Sequence, residues 1–303
     1  EKMKILVISG FLGAGKTTFI KEMIKATQRQ FVIFENEFAD VNIDSGILKN
    51  ENNKDIEVWE MSNGCVCCST QSDFAASLVL IDNALNPDFL IVEPSGVAIL
   101  SNVIKNIKKS EYERINMLNP LTIVDVSTYF KYKVKYKDIF LDQIKSTKYI
   151  QFSKINLVQS DELENVIKDI QNINPEAIIY SEDYHNKDIS YWDTFFEGNL
   201  SIKESDNVIS EQEMQNMSFR NVECNSLGEL IYFIDRILFG YFGNICRAKG
   251  TFKIKNDYAH FELVDSTYEI YFDRDIKENN IVVIGNTLKT ERIENYINNR
   301  LKK

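Results

Sequence analysis

The sequence predicts an α/β fold, in which a doubly wound, mostly parallel sheet is followed by a smaller C-terminal α+β domain. Three observations lead to this fold class. Short apolar runs alternate with segments of helical periodicity from the beginning of the chain. The first apolar run leads directly into the phosphate-loop spacing G-x-x-x-x-G-K-[ST]. A polar, acidic stretch over 182–215 then separates this series from a second set of strands and helices.

Seven short apolar runs are the predicted strands of the first domain, because each is too short for a buried helix. They are 5–8, 31–34, 56–59, 89–92, 121–125, 149–152 and 177–180. The predicted helices are 18–26, 72–84, 97–107, 137–146 and 161–172, the last with Ser160 as its N-cap. We expect the first domain over 1–200. The second, over 217–303, combines an antiparallel sheet with helices on one side.

The stretch from Gly10 to Thr17 has the residue types that hold a nucleotide phosphate. Its glycines allow backbone angles that point N–H groups at an anion, and the helix that follows adds its positive end. Lys16 is predicted to reach the β- and γ-phosphates, and the Thr17 hydroxyl is predicted to bind Mg²⁺. The alternative is a glycine-rich turn without a ligand, although the motif has the strand and the helix that it requires on either side. The predicted phosphate-binding residues are Gly13, Ala14, Gly15, Lys16, Thr17 and Thr18.

Two more segments follow predicted strands and are expected near the γ-phosphate. Glu93-Pro-Ser-Gly96 ends the strand 89–92, and Glu93 is predicted to hold Mg²⁺ or its water and to act in catalysis with Lys16. Gly96 is predicted to offer its N–H to the γ-phosphate. A helix-capping role for Glu93 is the alternative. The acidic loop 35–44 follows the second strand and is expected to sense the γ-phosphate, with a solvated acidic turn as the alternative.

Three cysteines, Cys65, Cys67 and Cys68, crowd into the segment 62–69. Thiolates are soft ligands that suit Zn²⁺, Co²⁺ or Cu⁺. So tight a turn supplies at most two or three sulfurs, so that another residue or water must complete the metal's ligands. Such an open position fits a site that transfers metal. The alternatives are buried cysteines that pack as small hydrophobic residues, or a redox pair.

Composition excludes several classes of partner. The chain of 303 residues carries a net charge of -10, with Lys+Arg 35 against Asp+Glu 45, so a nucleic-acid partner is not expected. No apolar run approaches the length of a membrane span, so we expect a cytoplasmic protein with no membrane partner. Cys224, Cys246 and His260 stand alone in the sequence and are expected to be structural.

In their order along the chain these motifs resemble those of CobW-like GTPases, metallochaperones related to the nickel-insertion GTPases of urease and hydrogenase. The resemblance is carried by Gly10-Phe-Leu-Gly-Ala-Gly-Lys-Thr-Thr18, Glu35-Asn-Glu-Phe38, Asn63-Gly-Cys-Val-Cys-Cys68, Glu93-Pro-Ser-Gly96, Asn174-Pro-Glu-Ala177, Arg247-Ala-Lys-Gly250 and Ile281-Val-Val-Ile-Gly285. The cysteine motif, placed between the phosphate loop and E-x-x-G, is the most specific of them.

The resemblance implies a metal carrier or insertase that is driven by GTP and Mg²⁺. Nucleotide binding would set the conformation of the thiol site, and slow hydrolysis would release the metal to a client metalloprotein. Cys65, Cys67 and Cys68 would form the metal site, with Glu37 as a further candidate ligand. Zn²⁺ is the expected cargo and Co²⁺ the second choice. A nucleotide-dependent homodimer is a further expectation.

The guanine-recognition motif Asn-Lys-x-Asp of such proteins is changed here to Ser153-Lys154-Ile155-Asn156. We expect Ser153, Lys154 and Asn156 to line the base site. Because Asn156 offers one acceptor oxygen where aspartate offers two, we expect GTP to bind more weakly than in the relatives. Ser153 is expected to weaken the packing of the phosphate loop.

Two other functions remain open at the level of sequence. One is a small-molecule kinase or ATPase that uses the same phosphate loop and has structural cysteines. The other is a nucleotide-dependent activator of one metalloenzyme, with little hydrolysis, which the altered base motif leaves open. A nucleotide-dependent change in metal affinity separates the chaperone from the kinase, and turnover of GTP, ATP and XTP separates it from the activator.

Overall fold

The computed structural model describes residues 2–36, 56–60, 71–109, 114–201, 214–272 and 279–301. Of residues 35–36, 56–60 and 71–75 it describes the backbone only. The candidate metal ligands Glu37, Cys65, Cys67 and Cys68 lie outside the described residues, as does most of the acidic loop. The described residues form two compact units, one within 2–201 and the other within 214–301.

The first unit is built on a parallel sheet with seven strand positions. Its strands are β1 (Met3–Gly10), β2 (Phe31–Asn36), β3 (Ile56–Glu60), β4 (Phe89–Pro94), β5 (Ile115–Met117), β6 (Leu121–Asp125), β7 (Tyr149–Ser153) and β8 (Ile178–Tyr180). They lie in the order β3-β2-β4-β1-β6-β7-β8, and β5 pairs with the beginning of β1. All of these pairings are parallel. The predicted fold class of the first domain is therefore confirmed.

Helices connect these strands, as the periodicity predicted. They are α1 (Lys16–Thr27), α2 (Gln71–Leu85), α3 (Leu100–Lys109), α4 (Tyr129–Lys135), α5 (Lys137–Lys145), α6 (Ser160–Ile173) and α7 (Ile189–Asp193). The prediction of Ser160 as an N-cap is wrong, because Gln159 caps α6 and its N–H donates to the Glu162 carboxylate at 3.2 Å. The short elements β5, α4 and α7 were not predicted. Among the helices of the described ranges, none has both the length and the apolar character of a membrane span.

The sheet of the first unit separates two apolar layers. Met3, Ile5 and Val7 of β1 face one layer, which includes residues of α2 and α3. Leu6 and Ile8 face the other layer, which includes α1 and the aromatic cluster Trp192, Phe195 and Phe196. Burial on both faces explains why β1 is a continuous apolar run rather than an alternating one.

The second unit is an antiparallel sheet with helices on one side, as predicted. It contains β9 (Gln215–Arg220), β10 (Glu223–Cys224), α8 (Leu227–Leu238), β11 (Asn244–Ile254), β12 (Asp257–Val264), β13 (Thr267–Phe272), β14 (Asn280–Asn286), α9 (Thr290–Tyr296) and a π-helical segment (Ile297–Leu301). The sheet order is β13-β12-β11-β14-β9, with all neighbours antiparallel. The short β10 differs, because it pairs in parallel with the end of β11. Its core joins α8 and α9 to one face of the sheet through residues such as Phe233, Phe252 and Ile293.

Candidate nucleotide-binding site

The predicted site residues follow four neighbouring strands of the first sheet. The strands β4, β1, β6 and β7 are adjacent and parallel, so their carboxyl ends meet at the same edge. The Glu93-to-Gly96 turn follows β4, and the phosphate loop follows β1. Asp125 ends β6, and Ser153 ends β7. This edge is where ligands bind in open α/β sheets.

The phosphate loop has the backbone conformation of an anion cradle. Gly13 and Gly15 have positive φ angles of 70° and 93°, a region that glycine adopts without steric cost. The loop closes through a hydrogen bond from the N–H of Ala14 to the carbonyl of Phe11 at 3.1 Å. A Cβ added at Gly15 would meet no atom within 4 Å, so the loop is open above its last glycine. The helix α1 begins at the next residue and directs its N-terminal N–H groups to this opening.

The Lys16 side chain lies along the loop that it belongs to. Its ammonium donates to the carbonyl of Gly10 at 3.1 Å, and the residue is 7% exposed. Gly10 has no room for a side chain, because a Cβ there would stand 2.5 Å from the Ile123 carbonyl oxygen of β6. The positive charge of Lys16 is therefore held at the loop.

Thr17 and Glu93, the two predicted Mg²⁺ ligands, lie in contact. The Thr17 hydroxyl donates to Oε1 of Glu93 at 3.3 Å, although 76 residues separate them in sequence. A hydroxyl and a carboxylate that meet at the start of α1 are hard oxygen donors of the kind that Mg²⁺ prefers, so the residues present fit this ion.

The turn that contains Gly96 packs directly on the phosphate loop. A Cβ at Gly96 would stand 2.8 Å from the backbone nitrogen of Leu12, so only glycine allows this approach. Gln143 of α5 is hydrogen bonded to the same turn. Its amide donates to the carbonyls of Gly96 at 3.1 Å and Ala98 at 3.2 Å, and the side chain is buried. Gln143 could not be predicted as a site residue, because one glutamine within a helical pattern gives no signal of its contacts.

An aromatic cluster packs against Phe11 of the phosphate loop. Phe11 is buried, and its ring lies 4.8 Å from the rings of both Tyr132 and Tyr136 and 6.1 Å from that of Phe140. These three partners come from α4 and α5 or the residue between them. The loop is therefore anchored by side-chain packing as well as by its own backbone.

The altered base motif also touches the phosphate loop. The Ser153 hydroxyl donates to the Ala14 carbonyl at 2.7 Å, and Lys154 donates to the Gly13 carbonyl at 2.9 Å. Lys154 has a positive φ of 55°, which turns its side chain back over the loop. Ser153 thus provides a direct bond to the loop. Asn156 lies in a single 3₁₀ turn and is exposed, so it is accessible to a base.

Asp125 is a further residue of this site that the sequence analysis did not assign. Its Oδ2 accepts from Lys154 at 2.7 Å, and its Oδ1 accepts from the Ser127 N–H at 3.0 Å and hydroxyl at 2.6 Å. The carboxylate is buried, and its ion pair fixes the position of the Lys154 ammonium. An acidic residue at the end of a buried strand, as with Glu93, was the signal that could have found it.

The isolated cysteines and histidine of the second unit are buried. Burial raises the pKa of the Cys224 thiol to about 12, so it carries no thiolate at neutral pH. The Cys246 thiol donates to the Ile284 carbonyl, and the His260 ring is hydrogen bonded to the Thr251 hydroxyl at 2.7 Å. Within the described residues, no group of three or more His, Cys, Asp and Glu side chains could hold a metal ion.

The sheet, the anion cradle and the contacting Thr17 and Glu93 together define a phosphate-loop nucleotide-binding protein. The family model "CobW/HypB/UreG, nucleotide-binding domain" matches residues 4–181, and the model "Cobalamin synthesis protein cobW C-terminal domain" matches residues 214–301. The chain therefore belongs to the CobW/HypB/UreG family, as the sequence motifs indicated.

The chain is similar to several characterised members of this family. It is 30% identical over 217 residues to zinc-regulated GTPase metalloprotein activator 1 of Dictyostelium discoideum, covering 58% of this chain and 45% of that one. It is 37% identical over 103 residues to zinc chaperone CobW of Sinorhizobium sp, covering 32% and 29%. The match thus spans less than half the length of either relative. Among solved structures, Zn(II)-bound YjiA GTPase from E. coli covers 100% of both chains at 19% identity, with a TM-score of 0.48.

Proposed function

We propose that this chain is a GTP-dependent metallochaperone or metal insertase that delivers Zn²⁺, or alternatively Co²⁺, to a client metalloprotein. The observation that carries the nucleotide half of the proposal is the contact between the phosphate loop and the turn that follows β4. Thr17 touches Glu93, and Gly96 lies against the Leu12 backbone. The turn is in direct contact with the phosphate loop. A γ-phosphate bound in the loop would therefore lie next to the turn, and the turn would respond to its presence.

Within the site, each side chain has a distinct proposed role. Lys16 binds the β- and γ-phosphates. Thr17 and Glu93 hold Mg²⁺, which supplies charge neutralisation for the transferred phosphoryl group. Gly96 donates its N–H to the γ-phosphate, and Lys154 lies along the base. Phosphoryl transfer needs little more from a protein than such positioning and charge.

The metal half of the proposal rests on the cysteine motif and on the relatives. Cys65, Cys67 and Cys68 are the proposed ligands, with Glu37 as a fourth donor. The metal is the cargo of the protein rather than a permanent part of it. Two of the relatives are named as a zinc chaperone and a zinc-regulated activator, which favours Zn²⁺ as the cargo here.

The test is an anaerobic titration of the whole chain with Co²⁺, with and without a non-hydrolysable GTP analogue. We expect one Co²⁺ per chain, thiolate charge-transfer absorption, and tighter binding when the analogue is present. Cys67→Ala should weaken the absorption and the metal affinity. Cys224→Ala is the matched control, because this thiol is buried in the second unit and burial raises its pKa to about 12. It should leave both unchanged. Equal metal affinity in wild type and a variant without all three cysteines would overturn the metal role.

Hydrolysis is tested separately, so that a failure of either half can be recognised. GTP turnover by the wild type and by Glu93→Gln, which keeps the side-chain volume but removes the charge that would hold Mg²⁺, should differ by about a hundredfold or more. Turnover of ATP that equals turnover of GTP would instead favour the kinase or ATPase alternative. Metal binding without turnover would favour an activator.

A further inference from the structure

The second unit contains a cavity of about 450 Å³ between α8 and the C-terminal helical segment. Arginine and tyrosine side chains dominate its lining. They are Tyr232, Arg236, Tyr241, Arg292, Tyr296 and Arg300, and we call this cavity the Arg–Tyr pocket. Arg292, Tyr296 and Arg300 recur every fourth residue, so that α9 and the π-helical segment present them on one side.

Two of the arginines are held in place by one aromatic ring. The guanidinium carbon of Arg236 lies 4.3 Å from the ring centre of Tyr241 and 4.7 Å from that of Tyr232. That of Arg292 lies 4.8 Å from the same Tyr241 ring, and its Nη1 donates to the Tyr241 carbonyl at 3.1 Å. Stacking uses the flat faces of guanidinium groups rather than their edges. Nη2 of Arg236 donates to the Tyr232 hydroxyl. Among the described residues, Nε and Nη2 of Arg292 make no hydrogen bond and remain available for an anion.

The charge of the Arg–Tyr pocket is opposite to that of the protein. Its three arginines face one carboxylate, Glu291, in a chain of net charge -10. Within the described ranges, none of the three arginines is in an ion pair. Guanidinium groups gathered around one ring repel each other, and an anion between them would remove this cost.

We propose that the Arg–Tyr pocket is a docking site for an acidic segment of a partner polypeptide. Carboxylates of the segment would accept hydrogen bonds from the arginine edges, which match carboxylate geometry in bidentate pairs. The site lies outside the residues assigned to nucleotide and metal, and the proposal does not depend on the proposed function.

Size and surroundings favour a polypeptide over a small inorganic anion. A volume of about 450 Å³ belongs to the range that holds a molecule of many atoms rather than a single oxyanion. Apolar side chains lie beside Tyr241 in the chain, where Phe239 is 87% exposed and Leu238 is partly exposed. Arginine and tyrosine are enriched among the residues that contribute most of the binding energy in protein interfaces.

The test uses the whole chain without nucleotide or metal, and fluorescence anisotropy as the readout. The probe is a short fluorescein-labelled peptide of aspartate and glutamate with one phenylalanine. The control peptide replaces the acids by glutamine and asparagine. One variant combines Arg236→Gln with Arg292→Gln. The other is Arg300→Gln alone, because Arg300 makes no hydrogen bond to another described residue that the change would remove. Arg220→Gln, an exposed arginine of β9 outside the pocket, is the matched control.

We expect the acidic peptide to bind the wild type and the amide peptide to bind at least about tenfold more weakly. The double variant should lose about tenfold or more in affinity and Arg300→Gln several-fold, whereas Arg220→Gln should change it less than about twofold. Circular dichroism establishes that the variants are folded. Absence of acidic-peptide binding to the wild type, or an equal loss in Arg220→Gln, overturns the proposal. Competition by inorganic phosphate at concentrations below those of the peptide would also overturn it, because it would assign the pocket to a free anion.

Discussion

Asn156 is the residue on which purine selection is expected to depend. Guanine presents two donors, N1–H and the 2-amino group, and a carboxylate would accept both. Asn156 has one acceptor and one donor group, so one guanine donor stays unpaired, at a cost of about 1–3 kcal/mol, or roughly 5- to 150-fold in affinity. Xanthine has a carbonyl in place of the amino group and can pair with both atoms. Asn156→Asp should therefore tighten GTP binding and weaken XTP binding.

Isothermal titration of wild type and Asn156→Asp with GTP, XTP and ATP measures this preference. Asn174, whose amide is bound to backbone carbonyls of the helix end at Ile144 and the loop at Thr147, is unsuitable as a control. Asn172→Asp, an exposed position of α6, provides the same change of charge outside the site. If the ratio of the GTP and XTP affinities is the same in wild type and Asn156→Asp, Asn156 does not touch the base and backbone groups read it instead.

Lys16 is expected to provide the largest single contribution to phosphate binding. In the proposed site its charged donor would meet phosphate oxygens, and hydrogen bonds to charged groups are worth about 1.5–3 kcal/mol. Lys16→Ala should therefore weaken nucleotide binding about ten- to a hundredfold while the fold remains intact. Calorimetry measures the affinity, and Lys25→Ala, whose side chain is 79% exposed on the same helix, is the control. An unchanged nucleotide affinity in Lys16→Ala would contradict the role given to the loop.

At the scale of elements, α5 is predicted to set the position of the turn at Gly96. The buried Gln143 side chain donates to the carbonyls of Gly96 and Ala98. Gln143→Leu removes both donors, at a cost of about 1–3 kcal/mol. If Gly96 donates its N–H to the γ-phosphate as proposed, a displaced turn affects only ligands that carry this phosphate. We therefore expect weaker binding of a GTP analogue and slower hydrolysis, with GDP affinity changed less than about twofold.

Three measurements show whether Gln143→Leu affects only the turn at Gly96 or the stability of the whole domain. They are urea denaturation, GDP affinity and GTP turnover. The control is Gln171→Leu, because Gln171 is exposed on α6 and outside the site. A purely structural role would lower stability and reduce GDP and analogue affinity together. Loss of both ligands in equal measure would thus argue against a specific coupling between α5 and the turn.

The same elements show how far sequence reasoning reaches. β1, α1 and the phosphate loop could be predicted because apolar periodicity and glycine spacing are local signals. The anchoring of the loop by Phe11 could not be predicted, because it depends on Tyr132, more than a hundred positions away. The role of Asp125 could not be predicted either, because it depends on Lys154, which follows the neighbouring strand. The one-residue error at the start of α6 has a local cause, since Gln159 as a cap is a weaker signal than Ser160.

For the whole molecule, the predicted consequence of the proposed function is reciprocal coupling between metal and GTP. If the GTP analogue tightens Zn²⁺ binding by a certain factor, linkage requires Zn²⁺ to tighten analogue binding by the same factor. Typical coupling of about 1–3 kcal/mol corresponds to roughly 5- to 150-fold. In the proposed function, the turn at Gly96 would carry this coupling. It contacts the phosphate loop and follows β4, which lies two strands from β3 in the sheet. The cysteine motif follows β3 in the sequence.

Analogue affinity measured with and without saturating Zn²⁺, in wild type and in Cys67→Ala, determines this coupling. In the wild type, Zn²⁺ should tighten analogue binding by the same factor by which the analogue tightens metal binding. Zn²⁺ should change GDP affinity much less, because GDP has no γ-phosphate to engage Gly96. Cys67→Ala should retain the metal-free affinity for the analogue and lose the increase, whereas Cys224→Ala should retain both. Lys16→Ala should conversely keep metal affinity in the absence of nucleotide. Equal analogue affinity with and without Zn²⁺ in the wild type would mean that the two sites act independently, and the chain would then not be a nucleotide-controlled metal carrier.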